Sequence, residues 1–240
     1  MLPCKNNEEL LAIGVKLVKE GSDGFLLSGG CDENGRVPLW DVLEGVHKLK
    51  TYTPLKINAH TGFVFTRELA ELYVASGIDV FSVDVVGSHA TIREIYGLDT
   101  SVEAYEQTIA NLTDANASIV PHITIGINHG KNSGEEAGID LVSKYSPKKM
   151  VLNVLVPVSG TPLENVKVST ERIEEVFRYA REKIEGEIML GCMRPRNLEI
   201  EKLAWKHGFS GIAHPTKDFV EFLEKSGEKM EFKSGCCSLF

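Results

Sequence analysis

Five polar side chains stand inside short apolar runs of this 240-residue sequence, at positions where they could take part in chemistry. Lysine and histidine alternate with apolar residues in "PLKINAH", an aspartate interrupts "VFSVDVV", and histidines occur in "VPHITIG" and "GFSGIAHP". Burying such groups costs free energy unless they are paired or used. We therefore expect a ligand cavity lined by Lys56, His60, Asp84, His122 and His214.

Two chemistries would use this set directly. Imidazole and carboxylate side chains that meet at the opening of one cavity are suitable ligands for zinc or iron. The protein would then be a divalent-metal-dependent hydrolase or lyase using His60, Asp84 and His122. An inward-facing Lys56 would instead form a Schiff base with a carbonyl substrate. The spacing of these residues matches no recognised metal motif, so both chemistries remain alternatives.

A pair of glycines suggests a third use of the cavity. The apolar run "LLSGG" ends in Ser28, Gly29 and Gly30 and is followed by a polar loop. Because glycine has no Cβ, a ligand can approach its backbone closely. We expect these three residues to contact the polar end of a ligand.

Strand and helix patterns alternate along the whole chain. Eight amphipathic segments have helical periodicity, and the first of them precedes any strand. Such alternation is typical of βαβ units and a parallel sheet. The sequence therefore predicts an α/β fold: a (β/α) barrel of the TIM type, incomplete, with seven parallel strands and the first strand missing. The seven strand candidates are "GFLLSGG", "PLKINAH", "VFSVDVV", "SIVPHITIG", "MVLNVLVPV", "EIMLGCMRP" and "GFSGIAHP".

Alternate residues of each barrel strand face the lumen, and active sites lie at the C-terminal strand ends. By this rule the cavity also receives several polar or small residues of the other strands. They are Asn58, Ser82, Thr124, Gly126, Asn153, Cys192 and Arg194.

Composition excludes several classes of protein. A net charge of −8 and the lack of any Lys/Arg-rich run argue against a nucleic-acid partner. No apolar run is long enough for a bilayer span, and five cysteines, an odd number, argue against a disulfide framework. We expect a cytoplasmic protein with no membrane partner, a core over residues 1–229 and a cysteine-containing tail over residues 230–240.

Several segments resemble the biotin synthase branch of the radical SAM superfamily, in matching order. "NVLVPVSGTPLEN" resembles its sixth-strand segment, "LLSGG" its glycine motif, and "HITIG" the strand that packs on adenine. "SVDVVGSHATIREIYGLDTSVEAYEQTI" is similar to the segment that runs through the fourth helix of the same group. The resemblance implies that S-adenosylmethionine is bound by Ser28, Gly29 and Gly30 at its amino-acid end. It further implies that Thr124 to Gly126 contact the adenine, that Asn153 and Asp84 hold ribose or amino-acid groups, and that His60 and His122 face the substrate.

"EIMLGCMRPRN" and "SGCCSLF" are similar to the group that includes the two-component lipoyl synthases. That resemblance implies sulfur insertion into an unactivated C–H bond, on a protein-bound octanoyl chain, and a homologous partner subunit. It also implies an auxiliary iron–sulfur cluster held by Cys192, Cys236 and Cys237, with Arg194 nearby; thiolates are the usual ligands of such clusters.

One motif of the superfamily is absent. The Cys-x3-Cys-x2-Cys motif that holds the radical SAM [4Fe–4S] cluster does not occur in these 240 residues, and Cys4 and Cys31 are too far apart to replace it. We expect the missing motif and the missing first strand to be the same gap. The chain should therefore be inactive in cleaving S-adenosylmethionine as it stands. The alternative is a cluster-free subunit that keeps only the S-adenosylmethionine pocket.

Overall fold

The fold alternates strands and helices, as the sequence predicts. The computed structural model describes residues 2–239, and its seven parallel strands follow one another in chain order. This confirms the predicted α/β fold class and the seven strands. The strands are β1 (Gly24–Leu27), β2 (Lys56–His60), β3 (Val80–Asp84), β4 (Ile119–Ile125), β5 (Lys149–Val154), β6 (Glu187–Leu190) and β7 (Gly211–Ile212). The helices are α1 (Asn7–Lys19), α2 (Leu43–Tyr52), α3 (Arg67–Ala75), α4 (His89–Glu94), α5 (Val102–Asp114), α6 (Glu135–Ser143), α7 (Thr170–Lys183), α8 (Leu198–Lys206) and α9 (Lys217–Lys225).

Side-chain caps determine where several helices begin. The side chains of Asn6, Thr66 and Ser169 each accept a hydrogen bond from the backbone three residues later, and α1, α3 and α7 start immediately after them. Helix α4 was not among the eight predicted helices. It has six residues behind its Ser88 cap, which is too short to show a helical period in the sequence.

The chain forms two compact units, and the first contains residues 2–83, 103–120 and 233–239. Strand β1 pairs with β2 from Gly24 opposite Lys56, and β2 pairs with β3 from Asn58 opposite Val80. Ile57 and Ala59 are fully buried, in agreement with an apolar face turned to the helices. The predicted tail boundary at residue 230 stays a prediction, although residues 233–239 pack in this unit.

The second unit contains residues 84–102 and 121–232, with β5, β6 and β7 and most of β4. The parallel register places Thr124 of β4 beside Asn153 of β5, and Leu152 of β5 beside Leu190 of β6. Most of the side chains of β5 are buried, as expected of a central parallel strand covered on both faces. In neither unit do the described residues include a helix long and apolar enough to cross a membrane.

Candidate functional site

The loop after β1 leaves its two glycines open to solvent. Gly29 and Gly30 are exposed and Ser28 is half-buried. A Cβ added to Gly30 would meet no atom within 4 Å, so packing in this chain does not require glycine there. The open space beside the backbone at Gly30 would allow a ligand to approach it closely. The predicted role of these residues stays a prediction.

A buried polar network lies on β2 and β3 of the first unit. Asn58 and Ser82 have almost no exposed surface, and the Ser82 hydroxyl donates to Asn58 Oδ1 over 2.9 Å. The C-terminal segment reaches this network: Ser238 Oγ lies 3.2 Å from Ser82 Oγ, and Asn58 Nδ2 donates to Cys236 Sγ over 3.4 Å. The pattern on the strands predicted the inward direction of both polar residues. It did not reveal the tail as their partner.

The same network changes the acidity of a thiol. The hydrogen bond from the Cys237 thiol, with further ones from Ser238 and Asn58, lowers the pKa of Cys236 to about 5, against the raising effect of burial. Within residues 2–239 no cysteine is in a disulfide. Cys236 is therefore the cysteine whose surroundings favour a thiolate most clearly.

Two other predicted residues of the first unit lie on β2. His60 ends the strand and is half-buried beside Ser82 of β3. Lys56 starts the strand and is exposed. Because catalytic groups of parallel α/β folds lie at the C-terminal strand ends, the position of Lys56 does not suit a Schiff-base role.

In the second unit, Asn153 stands out among the predicted residues. It is buried beside Thr124, and its Oδ1 has no hydrogen-bond partner among the described residues. A Cβ added to Gly191, which follows β6, would lie 2.0 Å from that oxygen. Only a glycine at 191 leaves room for the Asn153 amide in this position. An unpaired buried acceptor costs free energy, so a site that keeps one is suited to a ligand that donates a hydrogen bond.

Gly126, predicted to contact adenine, has its N–H engaged within the chain. It donates to Glu135 Oε1 over 2.7 Å, and the positive φ of 76° lets the chain turn out of β4. Glu135 is buried; its Oε2 accepts from Ser133 N and from Arg172 Nη2, over 2.7 and 2.8 Å. Since the carboxylate holds the loop after β4, it keeps Thr124 and the end of that strand in place.

Arg194, predicted near an auxiliary cluster, is fully buried in an ion pair with Glu201 of α8 at 2.6 Å. Its Nη1 donates to the carbonyls of Gly191 and Ala213, each over 2.7 Å. Glu201 also accepts from the backbone N–H of Thr216, at the start of α9. The pair therefore joins the ends of β6 and β7 to α8 and α9. This placement gives Arg194 a structural role, and its predicted role beside a cluster stays a prediction.

The remaining predicted residues of the second unit differ in exposure. His122 is buried on β4, whereas Asp84, Cys192 and His214 are exposed at or beyond strand ends. Over residues 2–239, no three His, Cys, Asp or Glu side chains stand together in a way that would hold a metal ion. The predicted His60–Asp84–His122 set and the predicted set of three thiols each draw residues from both units, and both sets stay predictions.

Glu135 and Glu201 are the buried carboxylates, among the described residues, that the sequence reasoning missed. Both lie in the first turn of a helix, where glutamate is common for its favourable interaction with the helix dipole. A weak signal was present, because each lies within ten residues of a predicted site residue. Nothing in the pattern distinguishes them from exposed first-turn glutamates such as Glu8 and Glu171.

Comparison with known proteins gives relatives of one kind. The chain is 24% identical over 194 residues to the biotin synthase of Nitrosopumilus maritimus (strain SCM1), which covers 80% of this chain and 59% of the relative. It is 24% identical over 164 residues to the biotin synthase of Cenarchaeum symbiosum (strain A), with coverages of 68% and 50%. The chain thus spans between half and three-fifths of the length of these curated relatives. No protein-family model matches it.

Solved structures give the same fold. Methylornithine synthase (PylB) superposes with a TM-score of 0.65 at 16% identity, covering 94% of this chain and 73% of that one. The HMG-CoA lyase of Brucella melitensis gives 0.58 at 9% identity, with coverages of 92% and 85%. At such identities the likeness shows the fold alone, which is shared by enzymes of different names. The biotin synthases, together with this fold, confirm the predicted resemblance: the chain is similar to the biotin synthase branch of the radical SAM superfamily.

Proposed function

We propose that this chain is the S-adenosylmethionine-binding core of a sulfur-inserting radical SAM enzyme of the biotin and lipoyl synthase type. The observation that carries the proposal is the buried, unpaired Oδ1 of Asn153, beside Thr124 at the C-terminal ends of two parallel strands. The ribose hydroxyls of S-adenosylmethionine can donate the hydrogen bond that this oxygen does not receive from the described residues. In the superfamily, S-adenosylmethionine would supply the radical chemistry once an iron–sulfur cluster has reduced it by one electron.

The chain's own residues would bind and orient this cofactor. Asn153 would accept a hydrogen bond from ribose, and Thr124 would offer its hydroxyl on the neighbouring strand. Glu135 would act indirectly, since it holds the loop at Gly126 through the hydrogen bond to that residue's N–H. Gly191 would keep the Asn153 amide in position, because any larger side chain would displace it.

Binding can be tested by titration calorimetry with S-adenosylmethionine, adenosine and methionine. Asn153→Ala should weaken the binding of S-adenosylmethionine and of adenosine about tenfold or more, the equivalent of roughly 1.4 kcal/mol. Asn111→Ala is the matched control, because it removes a hydrogen bond from Asn111 Nδ2 on α5 to the Val64 carbonyl, and neither residue is proposed to bind S-adenosylmethionine. Equal affinity of Asn153→Ala and wild type, with the control unchanged, would refute the assignment of Asn153.

We infer a cluster-free S-adenosylmethionine-binding subunit as the second candidate. It is favoured because the described residues do not assemble three thiol, imidazole or carboxylate ligands. In either case the substrate is proposed to be an acyl chain on a carrier protein, with a homologous partner subunit.

Anaerobic reconstitution with iron and sulfide separates the two candidates. Iron bound per chain and the EPR spectrum of the reduced protein would be recorded for wild type, Cys192→Ala and the Cys236→Ala/Cys237→Ala double variant. A cluster that these changes abolish supports the sulfur-inserting enzyme. Iron uptake at background level, together with intact binding of S-adenosylmethionine, supports the cluster-free subunit.

A further inference from the structure

The C-terminal segment of the described chain is seated on strands of the first unit. Residues 236–239 form a turn closed by a hydrogen bond from Leu239 N to the Cys236 carbonyl, of 2.9 Å. Ser238 and Leu239 are buried, at 3% and 9% exposure. A Cβ added to Gly24 of β1 would lie 3.0 Å from the Leu239 side chain, so the tail packs closely against that strand.

The turn depends on the two cysteines that begin it. Cys236 Sγ accepts a hydrogen bond from Asn58 Nδ2, and Cys237 follows it directly in the chain, so both sulfurs stand at the start of the turn. Both cysteines are half-buried and remain accessible to a small reagent. The dithiol form is therefore part of what holds the tail in place.

Oxidation of this pair would change the backbone as well as the sulfurs. Consecutive Cα atoms are about 3.8 Å apart across a trans peptide, whereas a relaxed disulfide spans roughly 4.4–6.8 Å between its Cα atoms. A disulfide between neighbours is strained for this reason, and it forms only if the local backbone moves. Movement at residues 236 and 237 acts on the same turn that buries Ser238 and Leu239.

We propose that Cys236 and Cys237 are a redox modification site, oxidised by small-molecule disulfides to a vicinal disulfide that releases the C-terminal segment from β1, β2 and β3. The Cys236 thiolate attacks one sulfur of the small disulfide, forming a mixed disulfide and expelling the first small thiolate. Cys237 loses its proton and attacks Cys236 Sγ, which expels the second. The protein dithiol loses two electrons and two protons, and the small disulfide is reduced to two thiols.

None of the groups that this inference uses is proposed to bind S-adenosylmethionine, so it can be tested separately from that binding. The strain of the vicinal disulfide makes it easy to reduce. The modification is therefore reversible by an excess of small thiol, and the tail returns to its place on the strands.

The test uses the whole chain, reduced and then treated with oxidised glutathione. The remaining thiols are then blocked with iodoacetamide. Mass spectrometry should find that the C-terminal peptide has lost two hydrogens and carries no iodoacetamide label. In Cys237→Ser, which lacks the attacking thiol, the reaction should stop at a glutathione adduct on Cys236. Cys31→Ser is the matched control: Cys31 is exposed and far along the chain from the pair, so this variant should behave as wild type.

Release of the tail is measured by amide hydrogen exchange. The peptide that contains Leu239 should exchange about tenfold faster in the oxidised protein, because the turn hydrogen bond is lost, and should recover on reduction. Two results would overturn the proposal. In one, glutathione accumulates on Cys31 or Cys192 while both tail thiols still take the label. In the other, the vicinal disulfide forms and exchange of this peptide does not change.

Discussion

Two polar residues of the second unit both lie next to Gly191, and their hydrogen bonding differs. Arg194 is buried with its charge neutralised by Glu201 and its Nη atoms bonded to strand-end carbonyls, although its Nε has no partner among the described residues. Asn153 is buried with its Oδ1 unpaired among the described residues. A buried charge that is paired in this way belongs to the structure, whereas a buried acceptor that receives no hydrogen bond costs stability and is suited to a ligand that donates one. The difference separates a structural residue from a binding residue where the sequence predicts both as site residues.

The strongest way to test this comparison is to break the ion pair. Arg194→Met leaves the Glu201 carboxylate buried without its partner and should lower the free energy of unfolding by about 3–5 kcal/mol. Urea denaturation gives the value. Arg196→Met is the control, since that exposed arginine two residues later should contribute within about 0.5 kcal/mol. A loss below about 1 kcal/mol at Arg194 would contradict the structural assignment.

A smaller effect is expected where the structure makes room for Asn153. Gly191→Ala places a methyl group 2.0 Å from Asn153 Oδ1 and 2.8 Å from Val151 Cγ1. Such overpacking should cost about 1–3 kcal/mol of unfolding free energy, and it should also weaken S-adenosylmethionine binding. Thermal and urea unfolding, followed by calorimetric titration, measure both effects.

The control for this change is Gly30→Ala, whose added methyl group meets nothing within 4 Å. It should leave stability unchanged or slightly raised, because alanine restricts the unfolded chain more than glycine does. Loss of binding in Gly30→Ala with no loss of stability would support the predicted contact with the amino-acid end. If Gly191→Ala were as stable as wild type, the Asn153 amide would not be fixed in the position described.

Local pattern was enough to predict part of this arrangement. Alternation along β4 and β5 placed Thr124 and Asn153 on the face away from the helices, and the parallel register brings them side by side. The partners of the buried charges could not be read in this way, because Glu135 and Glu201 are ordinary first-turn glutamates until the fold brings Arg172 and Arg194 to them. Contacts made across large sequence separations, such as Asn58 with Cys236, leave no periodic signal.

Among the substitutions at buried positions, the smallest change in stability is predicted at Asn153 itself. Asn153→Leu replaces the amide by an apolar side chain of similar size and removes an acceptor that has no partner among the described residues. Removing such a group recovers its desolvation cost, so the free energy of unfolding should change by less than about 1 kcal/mol, with either sign. Binding of S-adenosylmethionine should nevertheless fall at least as far as in Asn153→Ala, since leucine fills the space without accepting a hydrogen bond. Urea unfolding without and with the ligand gives both quantities: wild type should gain stability when the ligand is added, and Asn153→Leu should gain much less. A loss of several kcal/mol in the ligand-free variant would place Asn153 with Arg194 among the structural residues and remove the distinction drawn between them.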